Sequence, residues 1–341
     1  MECWLMTLIN QVETFPEALL NATAQSLHSL LPSPTLFHLT GKHKQPLFIT
    51  VLQHGNETTG FLALQKLLKK YQHQELPRSL SFFLGNTEAA SQGLRRLNHQ
   101  PDFNRIWPGT KLTDYREAKI SQQIVDIMQQ KNIFASIDIH NNTGLNPHYA
   151  CVNKLDNQFL QLANLFGRLV VYFTRPKGVQ SAAFAEICPA VTLECGKPGQ
   201  QHGVEHAFEY LKSCLHLTHL SDHPVPPQDQ DVYHTVAQVK VNRNSSFSYN
   251  DSNANLLLDK ELERMNFTEI PTGTQLGKVL DNSAMPVTAK DENGDVVTDQ
   301  FFSLVDKRLQ IKKSTMPSML TLDEKVIKQD CLCYLMEKMK L

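Results

Sequence analysis

Short runs of apolar and β-branched residues punctuate the first two thirds of the chain, at Leu47–Leu52, Ser81–Leu84, Ile133–Ile139, Leu169–Phe173 and Ala190–Leu193. Their lengths and lack of alternation predict strands buried on both faces. Between them the apolar positions recur every three or four residues. Phe61, Leu64, Leu67, Leu68 and Tyr71 form one such stripe, Ile120, Ile124, Ile127 and Met128 a second, and Phe159, Leu162, Leu165 and Phe166 a third. Each stripe predicts an amphipathic helix. Buried strands alternating with such helices predict an α/β fold, a sheet covered on both faces, with active groups at the carboxyl ends of its strands.

The pattern breaks at Ser221–Asp231, a polar stretch with three prolines that reads as a linker. Beyond it, turn signals come close together at Asn250-Asp251, Pro271-Thr-Gly273 and Asn293-Gly294. The last lies between Val287 and Val296-Val297, as in a hairpin. The expected organisation is therefore an α/β domain over 1–222 and a smaller β-rich domain over 223–341.

Composition narrows the class. The 341 residues are 41% hydrophobic and 20% charged, as in globular proteins, and long enough for two domains. Lys and Arg number 33 against 34 Asp and Glu, so no broadly basic surface exists, which argues against nucleic acid or an anionic membrane as partner. No apolar run approaches the roughly 20 residues of a membrane span. The first residues, Met1 to Met6, lack the basic leader and apolar core of a signal peptide. Seven cysteines without framework spacing fit a reducing compartment, and the expected location is cytoplasmic.

Candidate chemistry concentrates at strand ends. Gln53-His54-Gly55-Asn56-Glu57 follows the first strand and leads into the first helix. His54 and Glu57, three apart across such a turn, can converge as two ligands of a catalytic Zn²⁺; the plainer account is that they cap and charge the helix N-terminus. Ile133–Ile139 runs into His140, a candidate third ligand, with Asp138 on the same strand face to support it or, alternatively, simply a histidine satisfied at the end of a buried strand. Ala190–Leu193 ends at Glu194, a carboxylate costly to bury without a partner or a task, and suited to act as general base and then acid. Cys195 faces the other way and is not read as a nucleophile. Asp102-Phe103-Asn104-Arg105 sets an amide beside a guanidinium, either a grip for a carboxylate or an ordinary surface loop.

Together with Gly85-Asn86-Thr87-Glu88-Ala89, these segments occur in the order found in the succinylglutamate desuccinylase and aspartoacylase family, which the chain resembles over roughly residues 47 to 200. The resemblance implies a zinc-carboxypeptidase-like mixed sheet flanked by helices, with a smaller β-rich C-terminal domain. It implies one Zn²⁺ per chain held by His54, Glu57 and His140, with Glu194 activating the water. It further implies that Asn104 and Arg105 bind a substrate carboxylate, that Asn86 lines the pocket, and that an arginine shortly before Asp102 polarises the scissile carbonyl. Arg96 is favoured for that role and Arg95 is its rival. Aspartoacylases carry an arginine about ten residues before the general base; this chain has Phe184 there, and the nearest upstream cations are Arg175 and Lys177. An apolar residue in the pocket would suit a substrate with a less acidic side chain.

The function implied is a zinc-dependent amidohydrolase acting on an N-acyl amino acid or a related small or short-peptide substrate bearing a carboxylate. The runner-up is a metallocarboxypeptidase trimming a peptide or cell-wall fragment; a third reading, from another class, is a non-catalytic zinc or ligand-binding protein. His202, His206, His216, His219 and His223 read as solvated or paired histidines rather than a second metal site. No Walker or dinucleotide-binding motif is present. Oligomeric state is not encoded in any of these signals.

Overall fold

The computed structural model describes residues 8–251, 253–280 and 285–340, so the leader reading over Met1–Met6 lies outside the described residues. The chain divides into two compact units. The first comprises Met1–Asn141, His148–Val170 and Pro176–Gln230; the second comprises Asn142–Pro147, Val171–Arg175 and Asp231–Leu341.

The first unit contains strands β1 (Asn10–Val12), β2 (Thr35–Leu39), β3 (Gly41–Val51), β4 (Leu76–Leu84), β5 (Ala135–His140), β6 (Tyr149–Val152), the start of β7 (Leu169–Tyr172) and β8 (Ala190–Glu194). They pair in the order β1-β2-β4-β3-β5-β8-β6-β7. The centre, β4-β3-β5-β8, is parallel, whereas β2 and β6 run antiparallel to β4 and β8. The sheet is thus mixed, as expected. Leu47, Phe48, Ile49 and Val51 of β3 are fully buried, the signature of a strand covered on both faces.

Helices are α1 (Leu27–Leu30), α2 (Thr59–Tyr71), α3 (Thr87–Ser91), α4 (Arg116–Gln130), α5 (Asn157–Asn164), α6 (Gln180–Phe184) and α7 (Gln201–His216). The first two predicted stripes fall on α2 and α4; of the third, Phe159 and Leu162 lie on α5, while Leu165 and Phe166 lie just past its end, Leu165 exposed. Helix α2 packs on α7 and on β3 and β5, while α5 lies on β6 and β8. The approach of α2 depends on Gly60: a Cβ there would come within 2.8 Å of the Ile139 Cβ and 2.9 Å of Val51 Cγ1. β2, β6 and the first half of β3 were not anticipated. Tyr149–Val152 is short and buried between β8 and β7, so neither alternation nor a long apolar run marks it.

The second unit is β-rich. β9 (Asp231–Val241) pairs antiparallel with β13 (Val287–Lys290) and with β17 (Cys333–Lys338), which in turn pairs with β16 (Met316–Ser318). A five-stranded sheet runs β10 (Phe247–Ser248), β11 (Leu256–Leu258), β12 (Gln275–Val279), β15 (Arg308–Ile311) and β14 (Phe302–Val305) in that order. Both share one apolar core that includes Val239, Leu256, Leu276, Leu309 and Leu335. The Asn293-Gly294 turn is present, with Asp291 N–H donating to the Asp295 carbonyl and Gly294 at φ +91°. No helix among the described residues is long and apolar enough to cross a membrane.

Candidate metal centre

Strand geometry brings the site together. The parallel register sets His140, the last residue of β5, beside Glu194, the last of β8. At the end of β3 the chain turns sharply. Leu52 adopts φ +58°, a costly conformation for a branched residue, and its carbonyl accepts the Asn86 N–H at 2.7 Å. The turn then packs Gly55 so closely on α3 that a Cβ would lie 2.2 Å from the Ala90 nitrogen. His54 and Glu57 are thereby held between β3 and α2, facing His140.

Glu57 is the hub. His54 Nδ1 donates to Glu57 Oε1 at 2.7 Å, and His140 Nδ1 donates to Glu57 Oε2 at 2.7 Å. The Asn141 backbone N–H adds a bond to Oε2 at 3.1 Å. All three side chains are buried, and their ligand atoms lie within 4.8 Å of one another, so the group could hold a metal ion. The other nitrogen of each ring is held by a carboxylate: His54 Nε2 by Asp102 at 2.9 Å, and His140 Nε2 by Asp138 at 2.8 Å. Asp138 in turn accepts the Thr50 hydroxyl at 2.6 Å, its neighbour in the β3–β5 register. Carboxylates behind both imidazoles fix ring orientation and raise ligand basicity, the arrangement found behind metal-binding histidines. The donor set, two imidazoles and a carboxylate, fits a catalytic zinc with a position left for water.

The same contacts set the protonation states. Burial alone would lower the His140 pKa, but Asp138 and Glu57 outweigh it and hold the ring well above its ordinary 6.5. At His54, burial and Arg95 pull the pKa down, Glu57 and Asp102 pull it up, and the net shift is upward. Glu57 shows the converse: burial opposes ionisation, yet the two histidines keep its pKa below the usual carboxylate range. With both nitrogens donating to carboxylates, each ring is an imidazolium.

The segment 95–105 closes one side. Arg95 reaches Glu57 Oε1 at 3.4 Å and Asp102 Oδ2 at 3.2 Å, whereas Arg96 donates to the Gln100 carbonyl at 3.0 Å. The structure therefore sets Arg95, not the favoured Arg96, against the His54–Glu57–His140 group. The reason is local: Gly55 N–H binds the Arg95 carbonyl at 3.0 Å, fixing Arg95 beside the histidine loop. Asp102 caps the short turn Phe103–Arg105 by accepting the Asn104 N–H at 2.8 Å. Asn104 Nδ2 then lies 3.3 Å from His140 Nε2, and its Oδ1 accepts the Gln180 N–H at 3.2 Å. Arg105 is half-buried, donates to the Asn104 carbonyl at 2.7 Å, and has Gly178 packed on its own carbonyl.

Two expectations are placed elsewhere. Asn86 is buried, caps α3 through Ala89 N–H at 3.0 Å and donates to Gln100 Oε1 at 2.8 Å, so its bonds run away from the metal group. It lines a separate cavity of about 120 Å³ with Gln53, Phe103 and Trp107. Phe184 is fully buried, stacked 4.7 Å from Phe48 and edge-on to Trp107, and so belongs to the core rather than to a substrate pocket. Of the upstream cations, Arg175 donates to the Glu292 and Asn293 carbonyls, and Lys177 is exposed. Cys195 is fully buried, and burial together with Glu194 and Glu57 pushes its thiol far up, so it is no nucleophile. The link from Asp102 to His54 and the Thr50–Asp138 bond were not anticipated. The signal for the second was available, since Thr50 and Asp138 stand four and two residues before His54 and His140 on strands expected to be parallel neighbours.

Residues 44–209 match the family model described as the succinylglutamate desuccinylase/aspartoacylase catalytic domain. No curated protein sequence matches significantly. Among solved structures, succinylglutamate desuccinylase from Chromobacterium violaceum is similar in fold at a TM-score of 0.58 and 16% identity, over 87% of this chain and 86% of that one. Murine aminoacylase 3 is similar at a TM-score of 0.56 and 14% identity, over 89% of this chain and 98% of that one. The ectoine utilization protein of Ruegeria pomeroyi gives a TM-score of 0.53 at 15% identity, over 89% and 88%. The catalytic-domain match spans the segments that build the His54–Glu57–His140 group, so residues 44–209 are similar to the catalytic domain of the succinylglutamate desuccinylase/aspartoacylase family, and the fold is the one its members share.

Proposed function

We propose that this protein is a zinc-dependent amidohydrolase that cleaves the amide bond of an N-acyl amino acid or a related small substrate bearing a carboxylate. The observation that carries this reading is the buried convergence of His54, Glu57 and His140, each imidazole backed by a carboxylate. One Zn²⁺ per chain, held by these three residues, would supply a lowered water pKa and polarisation of the scissile carbonyl.

The remaining roles fall to the chain. Glu194, at the β8 end beside His140, takes the proton from the attacking water and returns it to the leaving amine. Arg95 points at the same centre and stabilises the developing oxyanion. Arg105, with Asn104, holds the substrate carboxylate. Asn86 acts at a distance, by anchoring the loop that carries Gln100. In this reading the catalytic domain spans residues 1–222 and the β-rich part 223–341, and the setting is cytoplasmic, supported by six buried cysteines that are all free thiols.

The test pairs metal analysis with turnover on a panel of N-acyl amino acids and short peptides. Wild type is expected to carry about one zinc more per chain than His54→Ala or His140→Ala. Glu194→Ala is expected to keep the zinc and lose about 10²–10⁴-fold in turnover, the usual worth of a general acid–base. Near-normal turnover by Glu194→Ala sinks the mechanism. Cleavage of peptides alone would move the assignment to a carboxypeptidase, and bound zinc with no turnover to a binding protein.

A further inference from the structure

A second group of histidines gathers on α7, away from Glu57. His148, just before β6, sets its ring 4.9 Å (centroid to centroid) from His206 and 5.2 Å from His202, nearly parallel to the latter. His202 and His206 are four apart on α7 and so share one helix face. His206 stacks on Phe166 at 4.3 Å, and its Nε2 lies 2.6 Å from the Phe166 carbonyl.

That last bond fixes the tautomer. A carbonyl only accepts, so His206 Nε2 carries the hydrogen and donates. In the neutral ring, His206 Nδ1 is then a bare lone pair, and it faces His148 Nδ1 at 2.7 Å. A ring held by one nitrogen through a backbone carbonyl, with the other nitrogen presented to a second imidazole, is how ligating histidines are commonly oriented. Two imidazole nitrogens on one tetrahedral ion at about 2.0–2.1 Å each stand roughly 3.3 Å apart. The pair therefore needs to open by about 0.6 Å. His202 is exposed, and it is the third imidazole the proposal enlists, one turn before His206 on the same helix.

We propose that His148, His206 and His202 form a second site for an imidazole-seeking transition-metal ion, Zn²⁺ or Cu²⁺, separate from the His54–Glu57–His140 group. Burial and the neighbouring His206 and His202 hold the His148 pKa down to about 4, so near pH 7 the ring is neutral, and its Nδ1, which donates to His206 Nδ1, becomes a ligand once that hydrogen shifts to Nε2. The position gives the site a consequence. His148 Nε2 sits 3.2 Å from where a Gly196 Cβ would be, and Gly196 lies two residues past Glu194. An ion on His148 and α7 would pin this loop from behind.

The experiment uses the full chain with the first group silenced by His54→Ala and His140→Ala, titrated with Zn²⁺ and then with Cu²⁺. The expected result is one ion per chain, a Cu²⁺ spin-resonance spectrum split by two or three imidazole nitrogens, and a rise in the thermal midpoint on loading. Adding His206→Asn is expected to weaken uptake at least tenfold. His202→Ala, at an exposed position that does not threaten folding, is expected to weaken it severalfold and remove one nitrogen from the spectrum. No uptake by the silenced protein overturns the proposal. So does uptake unchanged by both His206→Asn and His202→Ala, which would mark adventitious surface binding. Because the first group is already absent, neither result bears on the proposed hydrolase.

Discussion

Loading the candidate metal centre should release protons in a number the geometry fixes. In the metal-free arrangement Glu57 is already ionised and contributes none, because the histidines hold its pKa down. His54 and His140 each carry hydrogen on both nitrogens, and each must surrender Nδ1–H to become a ligand. About two protons should therefore leave per ion bound below the raised histidine pKa values, and the apparent affinity should climb up to about 100-fold per pH unit. The direction follows from the shifts: a raised pKa means the competitor proton is held more tightly than in free histidine. The assay is calorimetric titration of Zn²⁺ into metal-free protein near pH 6, in buffers of different ionisation enthalpy, with His148→Asn/His206→Asn as background to keep the α7 histidines silent. A release near zero would refute the imidazolium assignment, and with it the reading of Asp102 and Asp138 as charge partners.

The same shifts predict how the metal-free protein responds to pH. Stability contributed by His140 is complete below its ordinary 6.5 and is lost as pH rises through its elevated folded value, so the thermal midpoint should fall on the alkaline side and the fall should vanish in His140→Gln. Arg95→Ala should cost about 10²–10³-fold in turnover, as for loss of an oxyanion donor, while Arg96→Ala stays within a few-fold; reversed effects would restore Arg96. Phe184→Ala should lower unfolding free energy by about 3–5 kcal/mol in denaturant melts without altering preference between acidic and neutral substrates, since the ring is core. Gly55→Ala should abolish or severely weaken zinc retention, measured by elemental analysis, because its methyl would meet the Ala90 backbone.

Much of this was legible in the sequence because the site residues sit where strands stop. An apolar run ending in His140 or Glu194 announces a functional group at a strand terminus, and parallel pairing then makes the two neighbours. What stayed hidden depends on side-chain direction and loop path. Adjacent arginines at 95 and 96 point to different partners, and only the bond from Gly55 to the Arg95 carbonyl separates them. Phe184 occupies the sequence position of a pocket residue, but its place on α6 turns it toward Phe48 and Trp107. Asn86 looks like a pocket amide and serves as a helix cap, since its oxygen accepts the Ala89 N–H three residues on. β6 escaped notice because Tyr149-Ala-Cys-Val152 lacks the aliphatic and β-branched run that marks β7, a strand of the same length.

The ring of carboxylates behind the histidines has a consequence for how the centre is filled and emptied. Glu57, Asp102 and Asp138 bring three negative charges, and His54, His140 and Arg95 bring three positive ones. A divalent cation that enters as two protons leave exchanges like for like. Within these six side chains the charge sums to zero before and after, so filling the centre adds no net charge among them. On this count two protons stand in for the charge of the ion, so metal uptake is an exchange and not an addition.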